Sequence, residues 1–299
     1  MKKALIIGST VCDIMIYVDK MPKTSEDEHA KSQNINLGGC AYNVVSILHN
    51  LDIPYDFISP VGQGIYGDFV KNKLKEKNIH TGIYTELTNG CCYCIVENGG
   101  ERSFISYHGA EYRFNKSWLE NLDLNSYSYI YVCGLEVEDK DGEELVGSLK
   151  SFKGQIIFCP GPRVKLIKKS LMDKIFEVSP ILHLNEKELK ELGANDDIDV
   201  SLNKLYKKIK NIIVVTCGKD GAFYFDGKIK TFLAPIKSVV VDTIGAGDSH
   251  AGGLISSLCA GNDMKKSVAF ANKVASKIVS ISGTDLPKSE FKELKKDLL

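Results

Sequence analysis

Neither sign of charge is in excess: 38 Lys and Arg face 38 Asp and Glu. A polyanion-binding surface is therefore unsupported, and nucleic acid is not expected as a partner. Long apolar runs are also missing, none approaching the ~20 residues of a membrane helix. The opening Met1-Lys2-Lys3-Ala4-Leu5-Ile6-Ile7-Gly8 is too short for a signal peptide and reads as a first strand. The expectation is a cytoplasmic protein without a membrane partner. No H-E-x-x-H pair and no G-x-x-x-x-G-K-[ST] occurs, which excludes a zincin site and an ordinary P-loop. Repeats, low-complexity segments and linkers rich in Pro and Gly are absent too.

Cysteine is plentiful, with nine residues, but no metal pattern emerges. Cys133, Cys159 and Cys217 stand in strand-like apolar runs and Cys259 in a helical one, as reduced buried thiols do. Cys91, Cys92 and Cys94 are not a paired C-x-x-C set, and alternation puts Cys92 and Cys94 on one strand face, which argues against zinc.

What is present is alternation. Apolar strand-like runs at 4–8, 55–61, 129–133, 155–159, 181–184 and 212–216 alternate with helical patterns opened by Gly38-Gly39 and beginning near Gly67, Gly142, Val164 and Glu186. A hairpin is expected at Ala222–Phe232 around Asp226-Gly227, and helices at Ala246–Ala260, Met264–Ser280 and the charged C-terminus. Repeated β-then-α units predict an α/β fold, a Rossmann-like three-layer sandwich with a mostly parallel central sheet. Two β-only excursions, about 12–36 and 83–107, the second carrying an Asn98-Gly99-Gly100 hairpin turn, do not fit that sheet. They predict a small β lid inserted in one α/β domain spanning 1–299, lying over the strand ends where open α/β sheets bind ligands.

The densest signal is Asp242-Thr243-Ile244-Gly245-Ala246-Gly247-Asp248-Ser249-His250-Ala251-Gly252-Gly253. The β-branched run Val239-Val240-Val241 before it and the helical pattern after it read as strand, glycine turn, helix. Small residues at a helix N-terminus let backbone N–H groups approach an anion. A carboxylate in that first turn suits an anion being transferred to a group that Asp248 deprotonates. Ordinary capping by Asp and Gly is the alternative for these residues alone.

This segment resembles the D-T-x-G-A-G-D signature of the PfkB (ribokinase-like) carbohydrate kinases. The resemblance implies an anion hole at Gly245, Ala246 and Gly247, with Asp248 as catalytic base. Thr216-Cys217-Gly218-Lys219-Asp220-Gly221 resembles the family's T-x-G-x-x-G segment, which implies nucleotide contacts at Thr216, Gly218 and Gly221. Asn185-Glu186-Lys187-Glu188 resembles N-x-x-E, implying that Asn185 and Glu188 hold Mg²⁺, through water, beside the donor phosphates. Gly38-Gly39-Cys40-Ala41-Tyr42-Asn43 resembles the N-terminal acceptor segment, implying sugar contacts at Gly38, Gly39 and Asn43. Asp13 resembles the acidic residue that clasps two substrate hydroxyls, with Glu136 as a weaker analogue. Asn272 resembles part of the adenine-side wall. Asp242, Ile244 and Gly283 map to a monovalent-cation site. Capping explains Asn185 and the paired glycines equally well as isolated features.

The implied cofactors are ATP, Mg²⁺ and K⁺, and the implied activity is transfer of the ATP γ-phosphate to a hydroxyl of a small sugar. Cys40 stands where phosphosugar enzymes often carry Lys, which argues for an unphosphorylated acceptor. A nucleoside kinase of the same fold is the alternative, with Tyr17, Tyr42, Phe104 and Tyr107 available to stack a base. A non-catalytic sugar-binding protein is a third reading, opposed by Asp248, Asn185 and Glu188. The open edge of the lid implies a homodimer through sheet pairing.

Overall fold

A computed structural model describes residues 1–298. In chain order, β1 (Lys3–Ile7), β2 (Val11–Tyr17) and β3 (Ser32–Gly38) precede α1 (Cys40–Asn50). β4 (Tyr55–Ile58) and β5 (Val61–Gln63) lead into α2 (Gly64–Glu76), followed by β6 (Tyr84–Thr88), β7 (Cys91–Val96) and β8 (Arg102–Tyr107). After β9 (Tyr127–Cys133) come α3 (Gly134–Glu138) and α4 (Gly142–Leu149), then β10 (Gln155–Cys159), α5 (Lys169–Glu177) and β11 (Ile181–Asn185). Helices α6 (Glu186–Gly193) and α7 (Ile198–Ile209) lead to β12 (Ile213–Thr216), β13 (Ala222–Phe225) and β14 (Lys230–Leu233). Three helices finish the fold: α8 (Ala246–Cys259), α9 (Met264–Ile278) and α10 (Lys288–Leu298).

The main sheet has the order β14-β13-β12-β11-β10-β9-β1-β4, parallel throughout except for the β12-β13-β14 edge. Its central strands are mostly apolar and buried, with Ser128 of β9 and His183 of β11 among the exceptions, because both faces are covered. Ala4 and Ile6 face one layer, with α1, α2, α8, α9 and α10. Leu5 and Ile7 face the other, with α4, α5, α6 and α7. A one-residue slip would exchange the two sets, and the layers hold the register for that reason.

A second sheet has the order β3-β2-β7-β8. Its β7–β8 hairpin turns at 97–101, with Glu97 and Glu101 closing the loop. The two β-only excursions do meet there, although β6 leaves to pair in parallel with β5.

Two expectations are corrected. Val239–Val241 is not a strand: all three side chains are exposed, and the segment is held by Val241 and Asp242 N–H bonds to Val279 O. A β-branched run has strand propensity, but among the described residues it forms no ladder with any strand. The pattern from Val164 forms only a short 3-10 turn, and α5 starts at Lys169. The helix from Glu186 stops at Gly193, where Ala194 turns left-handed, and α7 restarts on Asp197, whose carboxylate accepts the Val200 N–H at 3.0 Å.

Candidate active site

Four neighbouring strands end on one crevice. Cys133, Cys159, Asn185 and Thr216 close β9, β10, β11 and β12, and all four line a cavity of about 690 Å³. Parallel strands aim their carboxyl ends the same way, so a crevice there is where such sheets take ligands. The small sheet roofs it with Asp13, Met15, Cys92, Cys94 and Phe104. Cys92 and Cys94 thus do share a face, and it is the cavity face.

The first turn of α8 forms one wall. Gly245 is its N-cap at φ 67, a left-handed conformation, and a Cβ there would stand 2.5 Å from Thr284 Cγ2. Ala246 N–H reaches Thr243 O at 3.3 Å, whereas the Gly247 and Asp248 N–H groups meet no acceptor among the described residues. These are the orphan donors of a helix start, and both residues line the cavity. Asp248 Oδ2 accepts the Asn43 Nδ2–H at 2.9 Å. Burial pushes its carboxyl above the ordinary range, while the bonds from Asn43 and Cys40 pull the other way.

Across the cavity, Asp13 stands at the centre of β2, paired in register with Asn36 of β3 and Cys92 of β7. Gly38 is required by it: a methyl at 38 would collide with the Asp13 carboxylate. Burial, then the charge of Asp248, pushes Asp13 up to about 7. Glu188 is raised to about 7 as well, chiefly by burial.

Asn185 and Glu188 form a capping box at the start of α6. Glu188 N–H donates to Asn185 Oδ1 at 2.8 Å, and Asn185 N–H to Glu188 Oε2 at 3.1 Å. Each carboxylate oxygen keeps a second lone pair, so the cap and a role toward the cavity are compatible. The Thr216 hydroxyl donates to Leu184 O at 3.3 Å beside them.

Glu136, Gly218, Gly221 and Asn272 are not brought to the cavity, and Gly38, Asp242 and Gly283 line a smaller pocket beside it. Glu136 is buried beneath the floor, its Oε1 accepting the Ser9 N–H at 2.8 Å, with its carboxyl pushed up to about 7 by burial. Gly218 and Gly221 close a turn on themselves, Gly221 N–H donating to Gly218 O and Cys217 N–H to Gly221 O. Asn272 donates to Leu233 O and Ala234 O and bonds His250 at 3.2 Å, all within the core. His250 in turn meets His183 at 2.8 Å, and burial depresses both imidazoles.

The expected monovalent-cation residues are brought together, around a side chain. Arg102 Nη2 donates to Asp242 Oδ1 at 2.6 Å. Oδ1 also accepts the Ile244 N–H at 2.7 Å, and Oδ2 the Gly283 N–H at 3.1 Å. A carboxylate already neutralised by a guanidinium does not fit a further cation.

Of the aromatics proposed to stack a base, Phe104 lines the cavity and Tyr17 a smaller pocket beside it. Tyr42 is buried in the core and Tyr107 faces solvent. Cavity residues that sequence reasoning missed are His108, stacked on Tyr112 and bonded to Asp139 at 2.8 Å, and Arg163, paired with Glu138. Neither belongs to a local motif that would have flagged it.

Three buried or half-buried carboxyls near 7 set a direction for stability. Asp13, Glu136 and Glu188 keep protons in the folded chain that the unfolded chain has released from about pH 4 upward. Their contribution is full below the ordinary carboxyl range and is lost as pH rises through about 7. The depressed imidazoles of His183 and His250 act the other way, gaining stability as pH rises toward the ordinary histidine range, but two of them oppose three carboxyls. The melting temperature of the ligand-free protein should therefore fall between about pH 5 and about pH 8. A thermal melt at fixed ionic strength measures it, and a rise over that interval would mean that the two imidazoles outweigh the three carboxyls.

The sequence profile of the pfkB family carbohydrate kinases matches residues 1–290. The sugar kinase YegV of Escherichia coli K12 is 31% identical over 290 residues, spanning 95% of this chain and 90% of its own. Mouse ketohexokinase is 26% identical, spanning 95% and 98%. Among solved structures, a Thermotoga maritima ribokinase superposes with a TM-score of 0.84 at 22% identity, over 99% of this chain and all of its own. A Burkholderia thailandensis nucleoside kinase in complex with inosine gives 0.81 at 15% identity, over 98% and 97%. At those identities the two structures establish a shared fold.

Proposed function

The chain belongs to the pfkB family of carbohydrate kinases, and from that membership we propose that it transfers the γ-phosphate of ATP to a hydroxyl of a small uncharged sugar. It is a sugar or nucleoside kinase, a phosphotransferase with an alcohol as acceptor. The observation that carries the finer reading is the opposition of two carboxylates across one cavity. Asp248 stands beside unpaired amides, and Asp13 faces it from the small sheet.

Asp13 accepts two hydroxyl protons of the acceptor and so fixes which hydroxyl reaches Asp248. The acceptor oxygen bonds the γ-phosphorus as that phosphorus parts from the bridging oxygen of ADP, and the hydroxyl proton passes to Asp248. A carboxylate is a far weaker base than an alkoxide, so the proton moves late, and positioning carries much of the rate. The Gly245–Gly247 turn and the Asp248 amide are the anion hole for the transferred group. Asn185 and Glu188 would hold Mg²⁺ through water. Magnesium keeps several waters and takes few protein ligands, so one amide and one carboxylate suffice. Bound there, it would neutralise phosphate charge. Cys40 on the acceptor wall gives no positive charge for a phosphosugar.

Phe104 on the roof supports the nucleoside alternative. ADP release with a panel of neutral sugars and nucleosides decides: turnover with a sugar is expected, turnover with nucleosides alone would shift the acceptor class, and none with either removes the kinase. The unpaired edges of the small sheet, β3 and β8, support a homodimer by strand pairing. A monomeric mass in solution would remove that proposal. No helix among the described residues is long and apolar enough to cross a membrane.

A further inference from the structure

We infer that Arg102 is the resident cation of the signature loop: delivered by β8, its guanidinium supplies at Asp242 the charge and the bridging contacts that a bound monovalent ion would supply. Arg102 is then a positioning residue for the anion-hole turn. The inference deepens the kinase reading and rests on it for its activity measurements.

Two elements far apart in sequence converge here. The guanidinium bonds Asp242 Oδ1 through Nη2 at 2.6 Å and approaches Thr243 Oγ1 through Nη1 at 3.5 Å. The pair is enclosed, with side chains 18% and 8% exposed, so it is weakly screened. Asp242 also gathers the Ile244 and Gly283 N–H groups, which ties the entry of the signature to the segment after α9. Ile244 packs under Met15, Cys94 and Val96 of the small sheet. The turn at Gly245 begins one residue later, and Ala246 N–H returns to Thr243 O. Moving Asp242 therefore moves the turn whose amides face the cavity.

A metal ion sharing Asp242 would stand against a fixed positive charge, and the N–H donors would have to leave the carboxylate. The functional consequence is indifference to monovalent salt. A guanidinium held by a bidentate-capable carboxylate is also more directional than an ion, because its donors lie in one plane.

The test compares KCl, NaCl and choline chloride at constant ionic strength, reading both melting temperature and turnover. For the wild-type protein both readings should be the same in all three salts. R102M should lose about tenfold in turnover, with a smaller effect on the acceptor KM, because a buried carboxylate without its counter-charge is left to shift. KCl, and not choline chloride, should then raise both the melting temperature and the turnover of R102M. R102K, which restores the charge without the fork, should recover most of the loss in choline chloride. Wild-type turnover or melting temperature that climbs with KCl would overturn the inference. So would R102M that turns over normally, or that is as indifferent to KCl as the wild type. Should R102M fail to fold, the wild-type salt series decides alone. Should no acceptor support wild-type turnover, the kinase reading fails, and the melting temperatures still decide this inference.

Discussion

Asp248→Asn should lower kcat by about 10²- to 10⁴-fold while leaving the fold and the acceptor KM close to those of the wild type. The substitution keeps the size of the side chain, and the amide oxygen can still accept from Asn43 Nδ2. Only proton acceptance is lost. The melting temperature should hold or rise, because burial already disfavours the charged carboxylate and the amide carries no charge. A coupled assay of ADP release measures the first effect and a thermal melt the second. Near-normal turnover would mean that Asp248 is a helix-start residue and no more.

The second large effect is expected at Asp13. Asp13→Asn should raise the acceptor KM by about 10²-fold, because hydrogen bonds to a charged group contribute roughly 1.5–3 kcal/mol each and two are weakened together. The kcat should change less, since the base and the anion hole are untouched. Gly38→Ala should move KM the same way, by pushing the carboxylate aside rather than replacing it. Unchanged acceptor affinity in Asp13→Asn would make it a packing residue of β2.

The two substitutions also mark how far the site could be read from the chain. Gly39, Asn185 with Glu188, Thr216 and residues 243–248 of the signature belong to short-range patterns, and each stands at a strand end or helix start that brings it to the cavity. The Asn98-Gly99-Gly100 turn was legible for the same reason. What escaped depends on partners distant in sequence. Nothing near Arg102 announces Asp242, 140 residues away. Glu136 reads like a surface acid until Ser9, 127 residues earlier, is seen to cover it. His183 and His250 look like isolated histidines until the core stacks β11 against α8. Val239–Val241 misled for the opposite reason: local β-propensity was strong, yet the segment is exposed and joins no sheet.

Asp13 belongs to the small sheet, whereas Asp248 rides on a helix of the main body. The carboxylate proposed to hold the alcohol and the one proposed to take its proton thus stand on different layers, joined through Gly8–Thr10, Gly39, Asn89–Gly90 and His108–Gly109 and tied by the Arg102–Asp242 pair. On those proposed roles, a tilt of the small sheet about its joints would change the distance between alcohol and base without changing the grip. Affinity would then be set within the sheet and reaction geometry at its joints and at that ion pair.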